Sequence, residues 1–194
     1  MAITASWKAY VDTDLNFSEF FARSYTIVLR FMPQFPNAYE GPMVAENGSG
    51  VFVLGQGDFL AGTAGSKLYV GVGSQAMTFA AALTTGQWHH LALAANVSAT
   101  QHVYALYLDG IPLGSPLTVA PGDPRLPQGT LRFGKRTTGQ TINGHDAQYY
   151  GILDDVAVFS KQLSQAEIHG LRDGVLHLTG SESNLLAGYN FATG

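Results

Sequence analysis

Apolar and polar residues alternate with a period of two along most of the chain, and Gly, Pro, Asn or Asp interrupts the alternation at short intervals. This period is typical of β-strands, because successive side chains of a strand point to opposite faces of the sheet. The pattern predicts strands over residues 25–32, 50–54, 67–72, 89–97, 103–108, 129–133 and 151–159. With the shorter alternating stretches included, we expect roughly ten short strands.

The predicted strand over 151–159 is apolar on both faces. Strict alternation places Ile152, Asp154, Val156 and Val158 on one face, and it places Leu153, Asp155, Ala157 and Phe159 on the other. Two largely apolar faces are expected where one sheet packs against another.

Local signals predict one tight hairpin and one helix. Leu108-Asp109-Gly110-Ile111 favours a two-residue type I′ turn, since both central positions of that turn need a positive φ and Asp-Gly tolerates it. Ser164 is a suitable N-cap residue with Glu167 as its capping-box partner, and Gly174 is a natural stop. These elements predict an all-β fold, a two-sheet antiparallel β-sandwich (jelly roll) with one short C-terminal helix, forming a single domain over residues 1–194.

Composition excludes several classes of function. The chain has 194 residues, no cysteine and a formal net charge of −4, so disulfides, thiol nucleophiles and cysteine-ligated metals are excluded. Only 10 Lys and Arg residues are present, too few for the clustered cations that nucleic-acid binding requires, and we expect no nucleic-acid partner.

The segment between Lys67 and Asp109 carries no formally charged residue. Gly, Ser, Gln, Thr and His interrupt it, and no run approaches the roughly 20 apolar residues of a spanning helix, so no membrane insertion is expected. The N-terminus shows no secretory signal pattern. We therefore expect the chain to be either cytoplasmic or a piece of a longer exported protein.

Four motifs in series carry a family resemblance: Gly-Gln-Trp-His-His-Leu-Ala at 86–92, Tyr-Leu-Asp-Gly at 107–110, Gly-Ile-Leu-Asp-Asp-Val-Ala-Val-Phe at 151–159 and Leu-Ser-Gln-Ala-Glu-Ile at 163–168. In order and spacing they resemble the LamG-like (LamGL) jelly-roll modules of the concanavalin A-like lectin/glucanase superfamily. The resemblance runs from about Tyr25 to Leu171. One departure is Ala157, which stands where these modules usually have an Arg.

Residues 185–191 resemble the strand that opens many such modules, although here they stand near the end of the sequence. Two interpretations remain open for this segment. It closes the sandwich beside the first strand, or it marks where a following module was trimmed away.

The sequence argues against catalysis. The resemblance implies glucanase relatives with two Glu and one Asp alternating on one strand, a geometry suited to retaining hydrolysis, but no such triplet occurs here. The nucleophile motif Gly-x-Ser-x-Gly and the zinc motif His-Glu-x-x-His are also absent from the sequence. His89 and His90 are adjacent, so on a strand they point to opposite faces and cannot bind one ion together.

Asp154 is the candidate metal ligand. Asp154 is predicted to share a packing face with Val156 and Val158, where its carboxylate needs a cation or several N–H donors to offset the cost of burial. The resemblance implies that this position binds calcium in several members, together with backbone carbonyls from near the N-terminal strand and the loop around the third strand. Calcium suits such oxygen ligands, and it would serve as a structural ion. The alternative is an ordinary carboxylate that accepts hydrogen bonds from N–H groups or a basic side chain.

A polar loop over residues 137–150 is the candidate ligand-binding site. Sugars are recognised by aromatic faces together with planar amides and carboxylates, and this loop supplies Asn143, His145, Asp146, Gln148 and Tyr149. A second candidate patch is Tyr39, Glu40, Glu46 and Asn47. The competing interpretation is that Asn-Gly at 143–144 forms only a turn and that the tyrosines are half-buried.

We therefore expect a non-catalytic, lectin-like recognition module that binds a glycan or another cell-surface ligand, with a possible structural calcium ion. It would belong to an extracellular or cell-surface protein, and to a multidomain parent if it is a fragment. The alternatives are an accessory domain of a polysaccharide-degrading hydrolase or lyase, and a structural or adhesion subunit that binds protein.

Overall fold

The computed structural model describes residues 3–4, 11–16, 22–33, 43–47, 50–58, 63–72, 75–80, 83–121, 130–134, 141–142, 145–146, 151–174, 176 and 178–189. Within these residues the chain forms sixteen strands and one helix. In chain order the elements are β1 (Ile3–Thr4), β2 (Val11–Asn16), β3 (Tyr25–Pro33), β4 (Met43–Asn47), β5 (Gly50–Asp58), β6 (Thr63–Val72), β7 (Gln75–Ala80), β8 (His89–Val97), β9 (His102–Leu108), β10 (Ile111–Pro112), β11 (Leu117–Val119), β12 (Thr130–Phe133), β13 (Thr141–Ile142), β14 (His145–Asp146), β15 (Gly151–Phe159), α1 (Gln165–Arg172) and β16 (Leu185–Tyr189).

The strands form two large antiparallel sheets, which confirms the predicted jelly-roll sandwich. The eight-stranded sheet has the order β1-β15-β3-β8-β9-β10, with β11 also paired to β9 and β16 also paired to β15. The six-stranded sheet has the order β2-β12-β4-β5-β6-β7, and β13 and β14 form a separate pair. The alternation pattern located β3, β8, β9 and β15 closely, but it did not predict β2 or β7.

The main hydrophobic core contains residues from both large sheets. From β3 it contains the alternating residues Tyr25, Ile27, Leu29 and Phe31, each at most 1% exposed. Leu131 and Phe133 of β12 and Leu68 of β6 contribute from the six-stranded sheet. Full burial of such a side chain stabilises a protein by about 1.5–3 kcal/mol, so the period-two pattern of β3 directly favours the sandwich.

A second apolar cluster covers the opposite face of the eight-stranded sheet. Val28 of β3, Ala92 and Ala94 of β8, and Ala157 and Phe159 of β15 pack there with Leu163 and with Ile168 of α1. The second apolar face of β15 therefore packs against the helix segment. Sheet-on-sheet packing therefore accounts for one apolar face of β15, and the helix segment accounts for the other.

A β-bulge in β15 changes which residues share a face. The register with β3 runs from Asp154 opposite Arg30 to Ala157 opposite Val28, so two residues of β15 oppose Leu29. Asp155 takes a φ of 47° at this point, as expected for the extra residue of a bulge. Leu153, Val156 and Val158 all belong to the main core. The prediction that Asp154 shares a face with Val156 and Val158 is therefore wrong, because a bulge interrupts the alternation between them.

The predicted turn and helix start are both confirmed. Asp109 and Gly110 have φ values of 51° and 78°, and Leu108 pairs with Ile111, as a type I′ turn requires. At α1 the Ser164 side chain accepts a hydrogen bond from the Glu167 backbone, and the Glu167 carboxylate accepts one from the Ser164 backbone. Lys161 Nζ lies 2.6 Å from Glu167 Oε1, and these hydrogen bonds lower the pKa of Glu167 to about 2.

Strand β16 joins the sandwich at the edge of β15. It pairs with the second half of β15, from Val156 opposite Tyr189 to Phe159 opposite Leu185. The short β1 pairs with the first half, with Ile3 opposite Leu153. Of the two interpretations of residues 185–191, the described part of this segment confirms closure of the sandwich beside the first strand.

Candidate functional site

The structure describes part of the predicted sugar-binding loop. His145 and Asp146 form β14, which pairs with β13 in the register Thr141 opposite Asp146 and Ile142 opposite His145. Asn143, Gln148 and Tyr149 lie outside the described residues, and the side chains of His145 and Asp146 are not described. The assignment of sugar contacts to this loop remains a prediction.

Asp154 lies on the face of β15 opposite the main core, and it is only partly buried. Its Oδ1 atom accepts a hydrogen bond from the Asp155 backbone N–H at 2.9 Å. The burial cost that favoured a cation at this carboxylate is therefore smaller than the sequence implied. In the described ranges no three His, Asp or Glu side chains come together as a possible metal site, so those ranges supply Asp154 with no side-chain ligand set, and calcium binding remains a prediction.

His89 and His90 point to opposite faces of β8, as expected. His89 contacts the Phe31 ring in the main core, with ring centroids 5.6 Å apart. Its Nε2 atom accepts a hydrogen bond from the Thr84 backbone N–H at 3.2 Å, which leaves Nδ1 to donate to Asp109 Oδ2 at 2.9 Å. These two contacts fix one neutral tautomer of His89 and hold it as a structural residue.

Asp109 links the two histidines to the β9–β10 turn. Its Oδ1 atom accepts a hydrogen bond from the His90 backbone N–H at 2.8 Å, and its own backbone N–H donates to the His90 carbonyl at 2.7 Å. Arg172 Nη1, from the end of α1, donates to the Asp109 carbonyl. The turn residue therefore connects strand β8 to the helix.

Gly110 allows the helix to approach this turn closely. A Cβ atom at Gly110 would lie 2.9 Å from Arg172 Nη1 and 3.1 Å from the His169 ring. Its positive φ also favours glycine. The Asp-Gly pair is thus required for two reasons, the turn conformation and the space that the last turn of α1 occupies.

His90 points to the helix-covered side of the sheet, where its side chain is largely withdrawn from water. The residue is 5% exposed, and within the described part of the chain its Nδ1 atom has no hydrogen-bond partner. The pKa of His90 is lowered to about 4, mainly by burial; the Asp109 and Asp173 carboxylates oppose this shift, and the nearby Arg30 and Arg172 guanidinium groups add to it. The imidazole is therefore neutral near pH 7, and one of its buried nitrogens is unsatisfied.

An open cavity of about 210 Å³ lies in front of His90. We call it the helix-side cavity; its lining residues are Val28, Arg30, His90, Asp155, Leu171, Arg172, Gly174, Leu176 and Leu178. Strands β3, β8 and β15 form one side, and the end of α1 with the following segment forms the other.

Two arginines of the helix-side cavity are held differently. Arg30 Nη1 lies 3.4 Å from Asp155 Oδ2, and its guanidinium lies 5.4 Å from the centroid of the Trp88 ring. Arg172 makes hydrogen bonds of 2.7 and 3.0 Å to the two carboxylate oxygens of Asp173. Arg172 is therefore a fixed group, whereas Arg30 makes a single, long hydrogen bond among the described residues.

The sequence alone did not point to this group of residues. Arg30 is a lone cation in the apolar strand 25–33, and Trp88 directly precedes the two histidines. These were the only signals available. Nothing in the sequence showed that the end of α1 faces His90 across a cavity.

Within the described ranges, no helix has both the length and the apolar character needed to cross a membrane.

Comparisons with known proteins identify related sequences and folds. A laminin G family model, described as the concanavalin A-like lectin/glucanases superfamily, matches residues 6–169. No curated protein sequence matches the chain.

Among solved structures, a candidate carbohydrate-binding protein from Bacteroides ovatus is similar with a TM-score of 0.66 and 19% identity, over 93% of this chain and 48% of that protein. The chain therefore spans about half the length of that protein.

Two further structures share the fold and contain bound sugars. The CBM40 of a Ruminococcus gnavus IT-sialidase, bound to α2,3-sialyllactose, has a TM-score of 0.56 and 16% identity, over 78% of this chain and 83% of that one. Domain 4 of an extracellular GH43 arabinanase from Geobacillus stearothermophilus, in complex with arabinotriose, has a TM-score of 0.54 and 18% identity, over 77% of this chain and 66% of that one. At these identities the similarity shows a common fold.

Proposed function

The chain belongs to the concanavalin A-like lectin/glucanases superfamily, and from this premise we propose that it is a non-catalytic carbohydrate-binding module. The observation that carries the proposal is the family match over 6–169, which includes every motif of the LamG-like resemblance. The absence from the sequence of a Glu-x-Asp-x-Glu triplet supports a binding role over a hydrolytic one. Sugar-bound structures with the same fold support carbohydrate as the ligand class.

The loop over 137–150 is the proposed glycan-binding site, with contacts from Asn143, His145, Asp146, Gln148 and Tyr149. Aromatic and planar polar side chains match the apolar faces and hydroxyl pairs of sugars. Loops at one end of a rigid sandwich are also where binding residues concentrate.

A glycan array probed with the 194-residue chain tests this function, followed by calorimetric titration of the glycans that bind. We expect saturable binding that Tyr149→Ala weakens by about tenfold, equivalent to about 1.4 kcal/mol, while the matched Tyr149→Phe retains it because stacking needs only the ring. Assays for reducing-end release should detect no product. Release of reducing ends would contradict the module and favour a hydrolase, whereas silence in both assays from a stable oligomer would favour an adhesion subunit.

We further propose that the module works within an extracellular or cell-surface protein with additional domains. The CBM40 and the arabinanase domain 4 are each named as part of a larger enzyme, and this chain spans 48% of the Bacteroides ovatus protein. An accessory role in a polysaccharide-degrading enzyme is therefore the second candidate. Sequencing the gene on both sides of the region that encodes residues 1–194 tests it, and an open frame that continues into a catalytic domain is the expected result.

Calcium binding by Asp154 is proposed as a structural feature of the module, with backbone carbonyls as the other ligands. Millimolar calcium should raise the melting temperature, a chelator should reverse the rise, and Asp154→Asn should abolish it. The matched variant Asp155→Asn controls for the loss of a neighbouring charge. An unchanged melting temperature in the unaltered protein would leave Asp154 as an ordinary hydrogen-bonded carboxylate.

A further inference from the structure

We propose that the helix-side cavity is a second carbohydrate site, which binds one uncharged sugar ring against Arg30, His90 and Asp155. This inference rests on the proposed function, but it concerns a different surface from the 137–150 loop. The cavity lies on the side of the eight-stranded sheet that α1 covers, whereas the main core fills the opposite side.

The first argument is an unsatisfied buried nitrogen. An unpaired polar atom in a protein interior is costly, and His90 Nδ1 is such an atom, closed to solvent at a residue that is 5% exposed and lines the cavity. A ligand in the cavity would reach this nitrogen when the imidazole turns towards it. A neutral imidazole can donate from one nitrogen and accept at the other. A hydroxyl group both donates and accepts, so it satisfies either tautomer.

The second argument is the pairing of a donor and an acceptor at the cavity wall. Arg30 Nη1 is 3.4 Å from Asp155 Oδ2, at the long limit of a hydrogen bond, and Arg30 has five N–H donors in a fixed plane. Two adjacent sugar hydroxyls can accept from the guanidinium and donate to the carboxylate. The bulge at Asp155, with its φ of 47°, places this carboxylate beside Arg30.

The third argument is charge balance, which favours an uncharged ligand. Among the described residues, the charged groups that line the cavity are Arg30, Arg172 and Asp155, and Arg172 is paired through two hydrogen bonds with Asp173. The nearby Asp109 carboxylate is already engaged by His89 and by the His90 backbone. The positive charges of Arg30 and Arg172 are therefore balanced by the negative charges of Asp155 and Asp173, and the site offers no net attraction to an anion or a cation.

The fourth argument is the shape and apolar character of the site. Val28, Leu171, Leu176 and Leu178 supply aliphatic surface for the C–H face of a sugar ring. The Trp88 ring, at a residue that is 39% exposed, lies 5.4 Å from the guanidinium of Arg30, which lines the cavity. The volume of about 210 Å³ is below the roughly 300–1,000 Å³ of sites for drug-sized ligands, so it suits a single ring.

The test is a nuclear magnetic resonance titration of the 194-residue chain with neutral monosaccharides, including glucose, galactose, mannose and arabinose, and with glucuronate as a charged comparison. In the unaltered protein the readout is the ¹⁵N shift of His90 Nδ1, which reports directly on a hydrogen bond to that atom. Binding by every variant is measured from the backbone amide shifts of the cavity-lining residues, because His90→Leu lacks the Nδ1 nitrogen. We expect a saturable shift with at least one neutral sugar. Arg30→Gln and His90→Leu should each weaken binding by about tenfold, equivalent to about 1.4 kcal/mol, whereas Arg23→Gln, an exposed arginine elsewhere, should not.

Stability measurements on the same variants separate a ligand role from a structural one. His90→Leu replaces a side chain that has a buried unsatisfied atom with an apolar side chain. We therefore expect the variant to be at least as stable as the unaltered protein, although it binds the sugar more weakly. Should His90→Leu fail to fold, Arg30→Gln retains the test, because the Arg30 side chain is 44% exposed.

Several results would overturn the inference. The first is the absence of a saturable shift with any neutral sugar, as for a cavity that holds only water. The second is an affinity for the sugar that both Arg30→Gln and His90→Leu leave unchanged. The third is binding of glucuronate without binding of neutral sugars. If array glycans bind and only the Tyr149→Ala variant loses them, the cavity site fails while the proposed function stands. If no sugar binds in either experiment, both fail.

Discussion

Asp109 shows how much structure one side chain can organise. Its backbone occupies the first central position of the β9–β10 turn, its carboxylate holds His89 and the His90 backbone, and its carbonyl accepts from Arg172. The turn, the pair of histidines and the docking of α1 therefore depend on the same residue.

Substitutions at Asp109 should separate its backbone role from its side-chain role. Asp109→Gly removes both carboxylate hydrogen bonds but tolerates the φ of 51°, and we expect it to lower the free energy of unfolding by about 2 kcal/mol. Asp109→Ala should cost about 1 kcal/mol more, because a left-handed conformation is unfavourable for a residue with a Cβ. Urea unfolding of both variants measures the difference, and equal stabilities would show that the backbone conformation contributes nothing.

His90 should make the protein less stable in mild acid. Its pKa is about 4 in the folded chain against an ordinary value of 6.5, so between these pH values the unfolded chain binds a proton that the folded chain does not. The contribution of His90 to stability should therefore fall as the pH drops from 6.5 towards 4, by about 3 kcal/mol in total, and this contribution should be constant above pH 6.5.

Urea unfolding at pH 7, 5.5 and 4.5 tests the prediction for His90, with His90→Leu as the matched variant. The difference in free energy of unfolding between His90→Leu and the unaltered protein should shift in favour of the variant as the pH falls. Glu167, whose pKa is lowered from 4.5 to about 2, affects the pH dependence of stability mainly below pH 4.5, largely outside the range in which His90 acts. Parallel pH profiles for the two proteins would contradict the prediction.

At the scale of single elements, strand β15 is where local pattern and final structure differ most. A regular strand would place Leu153 on the face opposite Val156 and Val158, yet the bulge at Asp155 brings all three residues to the same core. The bulge also moves Asp154 away from that core. One inserted residue therefore decides whether a carboxylate is buried between two sheets or lies beside Arg30.

The bulge predicts how Asp155 tolerates substitution. Asp155→Gly should leave the free energy of unfolding within about 1 kcal/mol of the original, since relief of the positive φ offsets the loss of an exposed ion pair with Arg30. Asp155→Val should be about 2 kcal/mol less stable than Asp155→Gly, because a β-branched residue is strongly disfavoured at this φ. A urea titration of the two variants decides the matter, and equal stability of Val and Gly would argue against the bulge.

At the scale of the whole molecule, β15 holds elements from both ends of the sequence. The strand β1 pairs with its first half and β16 with its second half, on the edge away from β3. Tyr189 packs on the main core, and Leu185 packs on the helix-side cluster. This edge of the eight-stranded sheet is therefore formed by strands that are far apart in the sequence.

Removal of β16 should destabilise the whole sandwich. A chain that ends at residue 183 loses the pairing with β15, the Asn184 carbonyl that accepts from Ser160, and the packing of Leu185 and Tyr189. We expect a loss of about 3 kcal/mol or more, measured as a lower urea midpoint. A chain that ends at residue 189 is the matched control, because it keeps the complete strand. Equal midpoints for the two shortened chains would show that β16 adds little to the fold.

The sequence by itself determined the features that depend on neighbours along the chain. The period-two pattern predicted β3, β8, β9 and β15, Asp109-Gly110 predicted its turn, and Ser164 with Glu167 predicted the start of α1. Four short motifs were sufficient to indicate the superfamily. Each of these features follows from local geometry, in which a residue's conformation is set by the few residues on either side of it.

Only the tertiary structure decided how those elements meet. The helix covers the second apolar face of the eight-stranded sheet, the bulge redirects Asp154, and the end of α1 completes a cavity in front of His90. Apolar alternation states that a face will be buried, but it carries no information about which distant segment buries it. For the same reason the unsatisfied nitrogen of His90 became visible only when residues 30, 90, 155 and 172 were brought together in space.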